Sequence, residues 1–134
     1  MENKQLYIPQ TKGDDAAVAL LQTMTVEQIR DDVPVLLEWL QDLNWPVAPA
    51  VNDYFVPYVN EIKDEIQAIF QTGDEGWKYN VLCLLGDAPY KLDEVLILSM
   101  QRMLSAPTPG EKEEEIDLLA ADILQRQAAL KYNG

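Results

Sequence analysis

The sequence predicts an all-α protein made of stacked antiparallel helix pairs. Apolar residues recur at helical spacing, proline and glycine cut the chain into helix-length pieces, and acidic or hydroxyl residues stand where helix N-caps belong. With 134 residues the chain fits a single domain over 1–134, since halving it would leave each part too small a core.

Residues 1–13 read as an irregular lead-in, running through Leu6-Tyr7-Ile8-Pro9 to Gly13. Asp14 or Asp15 caps a first helix that reaches about Thr23, with Val18, Leu21 and Leu20 inward. Thr25 and Gln28 have the spacing of a capping box. Pro34 suits the first turn of the next helix, where its missing N–H has no acceptor to lose. There Leu36, Trp39, Leu40 and Leu43 fall at i, i+3, i+4 and i+7, and Asn44-Trp45-Pro46 ends the run.

A helical piece over 47–54 breaks near Pro57. Beyond it Val59, Ile62, Ile66, Ile69 and Phe70 share one face, while Glu61, Lys63, Asp64, Glu65 and Gln67 take the other. Asp74 caps a helix over 77–85, which Gly86-Asp87-Ala88-Pro89 stops. Asp93 caps a helix running to Leu104 that is apolar nearly all round, which predicts the most buried helix of the protein. Residues 106–110 read as a loop before a last helix over 111–129, with Ile116, Leu119, Ala120, Ile123 and Leu124 inward. The runs at 81–85 and 95–98 are short enough to be strands, but both are Leu-rich and continue into helix-forming sequence.

Three helix pairs align, over 36–42 with 47–55, 61–70 with 77–85 and 94–104 with 113–124. Their second helices start at intervals of roughly 30 and 36 residues, close to the ~33–47 of helical solenoids. A simple helical bundle fits the same pattern.

Ten basic against 23 acidic residues give a net charge of −13, the wrong sign for neutralising nucleic-acid phosphates or anionic lipid. No histidine and a single cysteine remove the ligands of zinc, copper and haem sites. Asp74-Glu75-Gly76 is only a fragment of a calcium loop, so no metal and no cofactor is expected. Ser99 and Ser105 lack a histidine base, and the glycines form no phosphate-binding loop. The pairs Asp14-Asp15, Asp31-Asp32 and Asp93-Glu94 read as caps with solvated neighbours rather than facing acid and base. The densest acidic run, 111–115, reads as the solvated first turn of the last helix. No catalytic residue emerges. Cys83, within Val81-Leu82-Cys83-Leu84-Leu85, is expected to be buried, unreactive and in a reducing compartment. No apolar run approaches the ~20 residues of a membrane span, and the start of the chain lacks a signal-peptide core, which points to the cytoplasm.

The aromatic residues Trp45, Tyr54, Tyr58, Trp77, Tyr79 and Tyr90 lie at or near inter-helix turns. Trp45 and Trp77 each precede a second helix, where a tryptophan either plugs the gap between pairs or walls a peptide groove. The candidate binding residues are therefore Trp45, Trp77, Lys78, Tyr79 and Tyr90, the last three expected to be partly exposed.

Asn44-Trp45-Pro46-Val47-Ala48 after Leu37-Glu38-Trp39-Leu40-Gln41-Asp42, with Trp77-Lys78-Tyr79 and Pro107-Thr108-Pro109-Gly110-Glu111-Lys112-Glu113, resembles a bacterial domain family of unknown function with HEAT-like helical repeats. The resemblance runs from Leu6 to Leu124 and implies a small superhelical, ARM/HEAT-type domain without catalytic residues. The expected function is a non-enzymatic interaction module for a basic protein partner, an immunity-like inhibitor being one form of it. The alternatives are a cofactor-free carboxylate hydrolase and a DNA mimic or stability-only domain, the mimic disfavoured because the acids mark helix starts rather than one elongated face.

Overall fold

The computed structural model of the protein describes residues 6–130. Among them it is all-α, with eight α-helices, three short 3-10 turns and no strand, so the runs at 81–85 and 95–98 are helical. Two compact units divide the chain, with the boundary between Tyr58 and Val59.

In the first unit α1 spans Asp15–Leu21 and is capped by Asp14, whose carboxylate accepts from the Ala17 N–H at 3.2 Å. Val18 and Leu21 are buried as expected, whereas Leu20 faces out, because seven residues present only one buried stripe. Thr25 and Gln28 exchange hydrogen bonds of 2.8 and 3.3 Å, yet the chain passes through turns and a 3-10 turn at Arg30–Asp32 before α2 begins. α2 covers Val33–Leu37, with Pro34 in its first turn, and tightens into a 3-10 turn at Glu38–Gln41. Leu36, Leu37 and Leu40 are fully buried, while Trp39 and Leu43 are half-buried. Tightening to about three residues per turn rotates the last positions off the i, i+3, i+4 stripe. α3, Ala48–Phe55, runs into a 3-10 turn at Val56–Tyr58 around Pro57, and it packs on α1 and on the turn after α2. Fully buried side chains such as Leu21, Ile29, Leu36 and Phe55 contribute about 1.5–3 kcal/mol each.

The second unit holds α4 (Lys63–Phe70), α5 (Glu75–Asp87), α6 (Glu94–Ser105), α7 (Pro109–Glu113) and α8 (Ile116–Ala129). Asp74 and Asp93 cap α5 and α6, accepting 3.0 Å bonds from the N–H groups of Trp77 and Val95. α8 lies along α6 and touches α5, while α4 touches both α5 and α6.

Four expectations need correction here. α6 is not buried all round: Leu96, Met100 and Met103 form one buried stripe, but Val95, Leu98 and Leu104 are exposed, Leu98 to 54%. Cys83 is half-buried, because α5 turns Leu82 and Leu85 inward and leaves the thiol at the margin. Burial, with Asp87 nearby, pushes that thiol pKa up. The expected helix over 111–129 is two helices, broken at Glu115, whose φ of 61° is left-handed and costs roughly 1–2 kcal/mol for a non-glycine residue. Within the acidic run Glu113, Glu114 and Glu115 are exposed, but Glu111 is fully buried.

Candidate functional site

Trp45 owes its position to the corner that ends the α2 segment. Asp42 turns extended, its carboxylate accepts from the Asn44 N–H at 2.9 Å, and its carbonyl accepts from the Trp45 N–H at 3.1 Å. The Val47 N–H then donates to the Lys12 carbonyl at 2.9 Å, tying the corner to the lead-in. Trp45 meets Trp39 edge to face, with ring centroids 5.3 Å apart and planes at 75°.

The described part of the lead-in, residues 6–13, is irregular but well held. The Tyr7 hydroxyl donates to the Asp32 carboxylate, and the Gln10 N–H donates to Asp14 at 2.9 Å. Burial first, and then the bond to Asp32, pushes the Tyr7 pKa up to about 12. Held this way, Ile8, Pro9 and Gln10 face Val35, Glu38, Trp39, Gln41 and Trp45 across a cleft of about 330 Å³. A neighbouring cleft of about 390 Å³ shares Ile8 and Gln10 and is walled by Leu6, Asp14 and Leu20. A third, of about 260 Å³, lies beside Met24, Tyr54 and Tyr58. There the Tyr54 hydroxyl donates to the Met24 carbonyl at 2.8 Å, and burial raises its pKa to about 12.

Among the predicted binding residues, Trp45 alone belongs to the first unit. Trp77, Lys78 and Tyr79 are successive residues of α5 and therefore point in three directions, Trp77 half-buried and Tyr79 exposed. Tyr90 is half-buried at the corner before α6, where its hydroxyl accepts from the Val59 N–H at 3.1 Å and its carbonyl from Gln127 at 2.9 Å.

Lys78, expected to be partly exposed, is only 3% exposed. Its ammonium lies 2.9 Å from Glu75 and 2.9 Å from Glu111, and Glu111 also accepts from Arg102 at 2.6 and 2.8 Å and from the Thr108 N–H at 2.9 Å. Burial alone would lower the Lys78 pKa, but the hydrogen bonds its ammonium donates to Glu111 and Glu75 outweigh it and the net shift is upward. The Arg102 hydrogen bond, reinforced by Lys78, pulls Glu111 down to about 2 against its own burial. A carboxylate held ionised in this way is the opposite of a general acid, so the cluster is suited to tying α5, α6 and α7 together. The signal for it stands in the sequence as Thr108-Pro109-Gly110-Glu111, a capping box with proline at the first helical position, and both of its hydrogen bonds form. That box turns the Glu111 side chain inward. Gly110 keeps the approach open, because a Cβ there would run into the Glu75 carboxylate.

Trp39 and Glu38 were not singled out from the sequence as cleft residues. Trp39 fits the core stripe by its spacing from Leu36 and Leu40, so the sequence carries no signal that sets it apart as a cleft wall. Among the described residues no group of three or more His, Cys, Asp or Glu side chains is gathered to hold a metal. No helix among them is long and apolar enough to cross a membrane.

A family model described as a domain of unknown function, DUF5071, matches residues 7–124. The chain belongs to this family. The DUF5071 match includes the cleft from Ile8 to Trp45 and the cluster of Glu75, Lys78, Arg102 and Glu111. Comparison with curated proteins returns no match.

Proposed function

We propose that the protein is a non-enzymatic interaction module whose acidic surface binds a basic protein. The carrying observation is the use of its cations. In the second unit Lys63 pairs with Asp93, Lys78 with Glu75 and Glu111, Arg102 with Glu111, Lys112 with Asp117 and Arg126 with Asp122, while Lys91 donates to the Gln127 carbonyl. Each basic side chain described there is already engaged, so exposed acids such as Asp64, Glu94, Glu113 and Glu114 leave the surface field uncompensated. A field of that sign accelerates encounter with cationic proteins and repels nucleic acid.

The helix contacts support a repeat architecture of the HEAT-like kind within this reading. α4 with α5 and α6 with α8 are the two pairs of the second unit, and they stack first helix on first helix and second on second. An inhibitor that blocks a basic protein in a reducing, cytoplasmic compartment is the specific form that fits the size, the charge of −13 and the single cysteine. The test is capture from the source cell with tagged protein at low and high salt, followed by titration of each purified protein retained. Basic proteins released as salt rises are the expected result. Neutral or acidic partners, or affinity that ignores salt, would overturn the proposal.

A further inference from the structure

Trp39 and Trp45 form two walls of a corner rather than a stack, since their planes meet at 75°. Both rings are half-buried, and the cleft of about 330 Å³ opens against them. The face of an aromatic ring is electronegative and attracts a cation held within about 6 Å of its centroid. Glu38 lines the same cleft, is exposed, and has no ion-pair partner among the described residues. The first 58 residues carry three basic against nine acidic side chains, so the charge around the cleft favours an incoming cation. The volume lies near the lower end of ligand clefts, enough for one long side chain and small for an amphipathic helix.

The geometry points to an arginine side chain of the basic partner as the occupant, its guanidinium stacked on the tryptophan corner and its N–H fork on the Glu38 carboxylate. Arginine fits better than lysine because its head group is planar, weakly hydrated and able to bond a carboxylate through two N–H groups. Its methylene stem meets Pro9 and Val35, which supply apolar wall beside the rings. This inference rests on the reading of the partner as basic.

The experiment is a tryptophan-fluorescence titration of the whole protein with an oligo-arginine peptide, an oligo-lysine peptide of equal charge and an oligo-citrulline peptide of equal length. Oligo-arginine is expected to bind about tenfold more tightly than oligo-lysine, and citrulline, which keeps the shape without the charge, not at all. Glu38→Gln, at an exposed position that leaves the core untouched, should weaken oligo-arginine about threefold or more. Trp45→Ala should bring it to the oligo-lysine level, with circular dichroism checking that the helices remain. Equal affinity for the two cationic peptides, or oligo-arginine affinity unchanged in Glu38→Gln, overturns the arginine site while leaving a salt-sensitive acidic surface in place. Binding of citrulline overturns the cation assignment, and no fluorescence response to either cationic peptide overturns the site, while the acidic-surface reading stands or falls separately on the salt-dependent capture.

Discussion

Glu111→Gln tests the buried cluster directly. The side chain is fully buried and accepts from Arg102 twice, from Lys78 and from the Thr108 N–H. The substitution keeps the shape and removes the charge, which leaves an amide N–H₂ facing donors and strips Lys78 of one of its two carboxylates. Removing one partner of a buried ion pair costs about 3–5 kcal/mol. Lys78 retains Glu75 at 2.9 Å and the Arg102 side chain is 43% exposed, so hydration and the remaining pair reduce the loss to about 2–3 kcal/mol. A fall in the Glu111 pKa from 4.5 to about 2 corresponds to about 3 kcal/mol at most, before the same screening is applied.

A carboxylate with a depressed folded pKa stabilises above its unfolded value of 4.5, and that contribution is lost as pH falls toward 2. Urea denaturation followed by circular dichroism should therefore show the wild-type advantage in full at pH 7, shrinking between pH 5 and 2. Glu113→Gln, exposed two residues on, is the control and should stay within about 0.5 kcal/mol. A loss below about 0.5 kcal/mol for Glu111→Gln at pH 7, or a difference that stays flat down to pH 2, would show that the buried carboxylate does not stabilise the fold through its charge.

Tyr7→Phe should cost about 1–2 kcal/mol in urea denaturation at pH 8, since it deletes a hydrogen bond to a carboxylate that pins the lead-in. Because the Tyr7 pKa is raised from 10.0 to about 12, its contribution is present below pH 10 and lost as pH rises through 12, so the variant and the wild type should converge at high pH. Persistence of the difference at pH 12 would contradict this. Leu98→Ser on the exposed side of α6 should change stability by no more than about 0.5 kcal/mol, whereas Leu96→Ala, from the buried stripe two residues away, should cost about 2–5 kcal/mol. Similar losses in thermal denaturation would restore the picture of a helix buried all round.

The helices themselves are local facts. Asp14, Asp74 and Asp93 cap where the sequence places caps, Pro34 stands in a first turn where an N–H is dispensable, and Pro57 follows the end of α3. Capping and proline chemistry act over three or four residues, so composition and spacing suffice to see them. The same locality made Thr108 and Glu111 legible in principle as a capping box, since the pattern needs only the four residues it spans.

Which face of each helix meets a neighbour is a different kind of fact. Lys78 reads as a surface residue until Glu111, thirty-three positions later, is brought against it, and only then does its burial become tolerable. α6 offers apolar residues on several sides, and packing selects the stripe through Leu96, Met100 and Met103. Trp39 looks like core by its spacing from Leu36, yet the 3-10 tightening after Leu37 and the corner at Asp42 turn it toward Trp45 and the lead-in. Caps and most helix spans follow from neighbours along the chain, and the net charge follows from composition alone, so all three are legible without a fold. Burial, ion pairing and the cleft were decided by tertiary structure, because each requires residues distant in sequence to share one low-dielectric contact.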